Sequence, residues 1–330
     1  MSNFHTSFRA KSEVEILSEV GSKHVVLLHG GMSAEREVSL SSGRRVAKAL
    51  VENGYKVTKV DMGADLSSVL IDIKPDVVFN CLHGTYGEDG CVPGLLDILR
   101  IPYTYSGVLA SALAFNKQKS RDIFISNGIR CAEGRMVSKH ENLKTDPIKR
   151  PYVIKPLSQG SSIGVMVIFD EDDFKFTDYN FEYGDEIIVE KYIKGKELQV
   201  GVLNGKPLGV LEIKLSEDKR FHDYEAKYTP GGCEHIAPAR VSKEVYQRAL
   251  DVSKRVNDVL GCRGATRIEM IHSEIDDELY ILELNSHPGL TPTSVIPDIA
   301  EYAGISFNRL IKELVDDARY DGDEGASSFM

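Results

Sequence analysis

The sequence predicts an α/β protein whose N-terminal part is a parallel sheet. Two observations predict it. Over residues 24–103, apolar runs of strand length alternate with helical repeats, in the order strand, helix, strand, helix, strand. That order builds a parallel sheet and sends ligand groups to the carboxyl ends of its strands. From about residue 106 the texture changes, and residues 186–213 become β-rich. The 330 residues are enough for two or three domains around a large core.

HVVLLHGG (24–31) is a buried strand closed by glycines. SLSSGRRVAKALVENG (39–54) is helical, with Val46, Ala49 and Leu50 on one face, Ser39 as a candidate cap and Gly54 as the stop. YKVTKVD (55–61) is the second strand. After a short helix, PDVVFNCLHG (75–84) is the third, ending at His83-Gly84. GLLDILRIPY (94–103) is helical until Pro102, and residues 107–127 are helical. RPYVIKP (150–156) and GVMVIFD (164–170) are strands joined by a glycine-serine loop. Within the β-rich stretch, Asn204-Gly205 reads as a type I′ hairpin turn. Helix returns at 241–259, followed by strands at 265–271 and 278–285. Residues 1–22 fit either an extra helix or a loose extension, and the polar, acidic run 316–330 is expected to fray.

Hydrophobic and charged fractions of 42% and 27% are ordinary for a globular protein. A net charge of −10 leaves no large basic surface, which argues against a general nucleic-acid binder. A small anionic ligand needs only a few local lysines. The five cysteines (Cys81, Cys91, Cys131, Cys233, Cys262) are odd in number and form no C-x-x-C pair, so buried free thiols in a reducing cytosol are expected. No apolar run approaches the ~18 residues of a membrane span, and the N-terminus has no secretory h-region.

The stretch ILELNSHPGLTPTSVIP (281–297) carries the strongest chemical signal. Residues i and i+2 of a strand share a face, so Glu283 and Asn285 point one way while Leu282 and Leu284 pack on the other. A carboxylate and an amide oxygen aimed together suit Mg²⁺. Arg267 and Glu269 repeat the spacing on the preceding strand. The polar face of a half-exposed antiparallel strand has the same pattern, and spacing does not separate the two.

Four loops add weaker signals. KPLSQGSSIGV (155–165) can present N–H groups and hydroxyls to phosphate, although it is not a Walker A loop and an ordinary hairpin loop reads alike. HGGMSAEREVSL (29–40) places Glu35 and Glu37 in a turn where no apolar pattern requires them; surface charge is the simpler account. CLHGTYGEDG (81–90) puts His83 at a strand's carboxyl end, where a lone histidine is more often structural. HDYEAKYTPGG (222–232) puts Lys227 and Tyr228 in a candidate lid, or in a solvated loop. Together the five segments point to nucleotide, metal and a small polar substrate.

In order, HGGMSAEREVSL, LHGTYGEDG, KPLSQGSSIGV, YEAKYTPGG and ELNSHPGLTPTSVIP resemble the D-alanine–D-alanine ligase family, within the ATP-grasp superfamily. The resemblance covers roughly residues 24–313 and is specific because five motifs occur jointly. It implies a mixed α/β, three-domain ATP-grasp fold: an N-terminal parallel-sheet domain (1–105), a central subdomain (106–192) and a C-terminal subdomain with the metal and substrate site (193–330). ATP would lie between the last two. The resemblance assigns Lys117 and Lys155 to ATP phosphates and Lys227 to the γ-phosphate. It assigns Glu190, Lys191 and Ile193 to adenine, partly through backbone, and Glu197 to the ribose. Glu269, Glu283 and Asn285 would hold two Mg²⁺ ions, or Mn²⁺.

The implied chemistry joins two D-alanines. One carboxylate attacks the γ-phosphate to give an acyl phosphate, and the second amine attacks that acyl carbon. Arg267 and the Gly289 N–H would stabilise the tetrahedral oxyanion. Glu35 would pair with the first D-alanine's ammonium, His83 would shape that subsite, and Ser161 and Tyr228 would link Glu35 to the closed lid. Ser294, with the adjoining Val295 backbone, would receive the second carboxylate. The resemblance also implies a cytoplasmic bacterial enzyme and a homodimer, with no nucleic-acid or membrane partner.

Two departures stand out. The family usually has aspartate where Glu269 stands, so a longer side chain must be absorbed. Where the family commonly reads Asn-Thr-x-Pro-Gly, this chain has Asn285-Ser286-His287-Pro288-Gly289; the Asn, Pro and Gly remain, so little effect is expected. Tyr228 after Glu225-Ala226-Lys227 looks like the dipeptide-forming rather than the ester-forming type. The competing readings are an ATP-grasp ligase with another acceptor, such as D-lactate, and a silent nucleotide-binding relative. A nicotinamide-dependent dehydrogenase is disfavoured because no G-x-G-x-x-G follows the first strand.

Overall fold

The computed structural model describes residues 9–216 and 232–322. Among these the strands form three sheets, each drawn from its own stretch of chain.

The first sheet contains β1 (Glu13–Ser18), β2 (His24–His29), β3 (Lys56–Asp61) and β4 (Val77–Asn80) in the order β1-β3-β2-β4. β2 pairs in parallel with β3 and with β4. Its continuous apolar run is explained by burial on both faces: Val25 and Leu27 enter one core, Val26 and Leu28 another. The crossovers are α1 (Arg36–Glu52) and α2 (Leu66–Ile73), and α3 (Cys91–Leu99) follows β4.

The chain then forms α4 (Val108–Phe115) and α5 (Lys117–Ser126), not one continuous helix over 107–127. Asn116 is extended between them, and its side chain caps α5 by accepting the Lys119 N–H. The break places Lys117 at the first position of α5.

The second sheet, β5 (Gly134–Ser138), β6 (Tyr152–Pro156), β7 (Met166–Ile168) and β8 (Glu186–Lys191), is antiparallel in the order β5-β8-β6-β7. The third contains β9 (Gly195–Leu203), β10 (Lys206–Leu215) and β11 (Cys233–Ile236), then β12 (Ala265–Ser273) and β13 (Leu279–Asn285) after α6 (Lys243–Leu260). Its order is β11-β10-β9-β12-β13, again antiparallel. Asn204 and Gly205 both take positive φ between β9 and β10, as a type I′ turn requires. Ser242 and Gly261 cap the two ends of α6. α7 (Val295–Tyr302) and α8 (Phe307–Asp316) complete the chain.

Leu310, Ile311, Leu314 and Val315 of α8 pack into the same core as Val25, Leu27 and Val46 of the first sheet and its helix. The first sheet is thus finished by the last helix.

Several expectations are corrected. Residues 13–18 are neither helix nor loose extension but the antiparallel edge strand of the first sheet. Ser39 does not cap α1: it lies within the helix, and its buried hydroxyl donates to the Cys81 carbonyl at 2.7 Å. The chain stays tied beyond residue 316, because Arg319 bridges Tyr103 and the Asp321 carboxylate accepts from Arg263 Nη1 at 2.8 Å. Cys91 is exposed, not buried. Leu282 does not pack opposite Glu283; the register shifts there, since Glu269 faces Glu283 while Met270 faces Ile281. The bulge turns Leu282 toward the same cavity as Glu283.

Candidate active site

Two cavities meet along β12 and β13. The larger, about 340 Å³, lies between the second and third sheets. That size is typical of a small-molecule or cofactor site. Val153, Val167, Ile213, Ile271 and Leu282 give it apolar walls. Lys117, Lys155, Glu190, Lys191, Ile193, Glu197, Glu269 and Glu283 all line it, so the cofactor residues and carboxylates singled out in the sequence converge there. Lys227 and Tyr228 lie outside the described residues.

Several charges in this cavity are paired. Lys155 Nζ donates to Glu190 Oε2 at 2.6 Å, and Arg121 Nε stands 3.2 Å from Glu190 Oε1. Burial works against the Lys155 ammonium, but Glu190, with Glu283 and Glu269 behind it, holds its pKa above the ordinary lysine value. The Glu190 carboxylate is thus engaged by two cations. Lys117 Nζ donates to the Gln159 carbonyl at 2.7 Å and stands 3.2 Å from Glu283 Oε2. Glu197 Oε1 accepts from Gln199 Nε2 at 2.9 Å.

The smaller cleft draws its walls from the whole chain. Glu35 follows β2 through the Gly30-Gly31 turn, and His83 and Glu88 follow β4. Gly160 and Ser161 come from the loop after β6, Arg267 and Asn285 from β12 and β13. Gly289, Ser294 and Val295 come from the turn into α7. Glu35, His83, Ser161, Arg267, Gly289, Ser294 and Val295 line this one cleft, and Asn285, expected with Glu269 and Glu283, lines it too, while those two carboxylates line the larger cavity.

Glu35 is 5% exposed, and Ser161 Oγ donates to its Oε1. Burial, reinforced by the nearby Glu88 charge, pushes its carboxyl up to about 7. Two glycines make room for it: a Cβ on Gly160 or Gly84 would lie 2.5 Å or 2.8 Å from Glu35 Oε2. His83 Nδ1 is 3.0 Å from Glu88 Oε1. Arg267 Nε donates to Glu269 Oε1 at 3.1 Å, and Asn285 Oδ1 accepts the His287 N–H at 2.8 Å. Ser294 Oγ accepts the Thr291 N–H at 3.0 Å.

Sequence reasoning missed Glu88, Arg121, Gln199 and His235, which also line or support the two cavities. His235 on β11 is held by Asp298 of α7 at 2.6 Å. Burial opposes its charge, but Asp298 and Cys233 together outweigh that and lift it to about 9. No local motif marks these residues; Glu88, five residues after His83, was the most accessible signal.

The carboxyl groups on β12 and β13 suit a hard divalent cation by donor type. Glu269 faces Glu283 in register, and Arg267 faces Asn285 one step along. Two carboxylates and an amide oxygen on one sheet face are oxygen donors only. Among the described residues no group of three or more His, Cys, Asp and Glu gathers as a metal site.

The family profile described as D-ala D-ala ligase C-terminus matches residues 113–316, and that of the N-terminus matches 67–106. The chain belongs to the D-alanine–D-alanine ligase family. It is 58% identical to D-alanine–D-alanine ligase of Rickettsia bellii and 59% identical to that of Rickettsia felis, in each case over 97% of this chain and all of the relative. The family's solved structures include D-alanine–D-alanine ligase from Bacillus anthracis complexed with ATP. It is 28% identical, with a TM-score of 0.77, over 89% of this chain and 97% of that one. A second structure of D-alanine–D-alanine ligase from Bacillus anthracis gives a TM-score of 0.78 at 30% identity. The three sheets are thus those of the ATP-grasp fold.

Proposed function

We propose that the chain is an ATP-dependent ligase that joins two D-alanines into D-alanyl-D-alanine for peptidoglycan precursors. One observation carries the reading. The same two strands line both cavities, with Glu269 and Glu283 in the large one and Arg267 and Asn285 in the small one. A phosphoryl group leaving a nucleotide in the first is delivered at the mouth of the second. The ATP complex of the Bacillus relative supports nucleotide in the large cavity.

The residue roles follow from this layout. Lys117 and Lys155 neutralise phosphate charge, which phosphoryl transfer needs more than covalent help. The purine sits on the apolar walls, against the backbone at Glu190, Lys191 and Ile193, with Glu197 at the ribose. Glu35 holds the first D-alanine's ammonium, oriented by Ser161 and flanked by His83. The first carboxylate attacks the γ-phosphate, displaces ADP and becomes an acyl phosphate. The Ser294–Val295 turn takes the second carboxylate, and the second amine attacks the acyl carbon. Arg267 and the Gly289 N–H stabilise the oxyanion, and phosphate leaves. Mg²⁺ held by Glu269, Glu283 and Asn285 would supply charge neutralisation at the transferred phosphoryl group. No helix among the described residues is long and apolar enough to cross a membrane. The cytoplasmic assignment rests on the family resemblance. The resemblance favours a homodimer.

The test is phosphate release from Mg-ATP with D-alanine, L-alanine, or D-alanine plus D-lactate, with mass spectrometry of the products. D-alanine-dependent release with a D-alanyl-D-alanine product is expected. ATP binding without release under all three conditions rejects the substrate assignment. An Arg267→Ala variant is expected to bind ATP normally while turnover falls about 100-fold.

A further inference from the structure

His287 lies between the metal-type strand β13 and the turn that carries Gly289 and Ser294. Its ring is 4% exposed and stacks on Tyr105, with centroids 4.1 Å apart. One residue from the N-terminal sheet satisfies both ring nitrogens. Nε2 is 2.7 Å from the Asn80 carbonyl oxygen, which can only accept, so Nε2 carries the proton. Nδ1 then accepts from Asn80 Nδ2 at 3.3 Å. Burial pushes the ring's pKa down to about 3, in keeping with a neutral tautomer.

Asn80 is itself a junction. It ends β4, its Oδ1 accepts the Leu82 N–H at 3.0 Å, and its Nδ2 donates to the Gly87 carbonyl at 3.0 Å. It therefore shapes the loop that presents His83 and Glu88. Two further threads join the same walls: the Leu290 N–H donates to Ser42 Oγ at 3.2 Å, and Arg45 Nη1 donates to the Thr291 carbonyl at 2.9 Å.

We infer that His287 is a positioning residue for the ligation. Through Asn80 it fixes the turn carrying Gly289 and Ser294 against the loop carrying His83 and Glu88, so that both D-alanine subsites keep one relative geometry. The inference rests on the functional reading above. Phenylalanine can repeat the stack on Tyr105 but removes the ring donor to the buried Asn80 carbonyl and one of the two acceptors of its amide, which keeps only the Gly87 carbonyl. Glutamine can reach the Asn80 carbonyl without the stack.

The experiment compares His287→Phe and His287→Gln with wild type in the full chain. The stoichiometry of ATP binding without D-alanine counts the folded molecules, because the larger cavity contains none of these residues. His287→Phe is expected to bind ATP as wild type does while kcat/KM for D-alanine, per ATP-binding molecule, falls about 100-fold. His287→Gln is expected to restore roughly tenfold of that loss. Asn80→Ala approaches the same link from its other side, and the double variant is expected to lose little beyond either single one. Wild-type D-alanine kinetics in His287→Phe, no recovery in His287→Gln, or fully additive losses overturn the inference. If His287→Phe yields no ATP-binding protein, His287→Gln and Asn80→Ala decide it alone. A wild type that releases no phosphate with D-alanine rejects the functional reading and this inference with it; a normal wild type beside an unaffected His287→Phe rejects only the inference.

Discussion

Glu269 and Glu283 stand opposite each other on β12 and β13, and a different cation holds each: Arg267 pairs with Glu269, and Lys117 with Glu283. Like charges opposed on a ladder repel, and the two cations offset that repulsion. A divalent ion held by the two carboxylates would offset the same repulsion. Glu283→Gln is therefore expected to lower kcat about 100-fold and to raise the Mg²⁺ concentration needed for half-maximal rate. A magnesium titration of initial rates checks this, and an unchanged midpoint removes Glu283 from the metal role.

The raised carboxyl of Glu35 predicts a pH dependence for the first D-alanine. Below about pH 6 the group is mostly neutral and cannot pair with an ammonium. KM for the first D-alanine is expected to fall as pH rises through about 7 and to level off above it. The stability sign is opposite. The folded state holds the proton more tightly than the unfolded one, so the unliganded protein loses stability between about 4.5 and about 7 and no more beyond. Glu35→Gln should flatten both profiles. A KM profile in Glu35→Gln that still bends near 7 assigns the titration to another group.

Gly160 tests the room around the same carboxylate. A Cβ there meets both Glu35 carboxylate oxygens, at 2.5 Å and 2.9 Å, with no left-handed backbone conformation to add strain. Gly160→Ala should displace Glu35 and raise KM for D-alanine roughly tenfold or more. The melting temperature should change by only a few degrees, since the site is a cleft and not a core. Wild-type kinetics would mean that the loop moves aside freely.

The His235–Asp298 pair makes a prediction about stability alone. The folded pKa of His235 is raised, so the pair's contribution is complete below the unfolded value near 6.5 and disappears as pH rises through about 9. Asp298 is 38% exposed, so solvent screening reduces the contribution to about 1 kcal/mol. Denaturant unfolding of Asp298→Asn should show that deficit at pH 6 and none at pH 10. An equal deficit at both rules out the charged pair as its source.

Much of this architecture is written locally. The continuous apolar run of β2, the helical spacing of α1 and the Asn204-Gly205 turn each follow from a few adjacent residues. Glu283 and Asn285 were legible because a two-residue spacing on a strand fixes a shared face. What escaped depends on distant partners. The bulge at Leu282 is a property of the β12–β13 pairing. His235 acquires its charge from Asp298, 63 residues away, and His287 takes both hydrogen-bond partners from Asn80, 207 residues away. β1 alternates Val14 and Ile16 with glutamates, a strand signal that its exposed edge position made faint.

The packing of α8 into the first core has a consequence for the chain's birth. Val25, Leu27 and Leu50 of the first sheet and its helix share a core that is incomplete until Leu310, Ile311 and Leu314 arrive. While the ribosome adds the intervening residues, that apolar face waits uncovered, and exposed faces of this kind recruit chaperones or aggregate. Fragments ending before about residue 305 should thus be poorly soluble although they contain nearly all of the catalytic side chains, and a premature stop late in the message should be as damaging as one near its start.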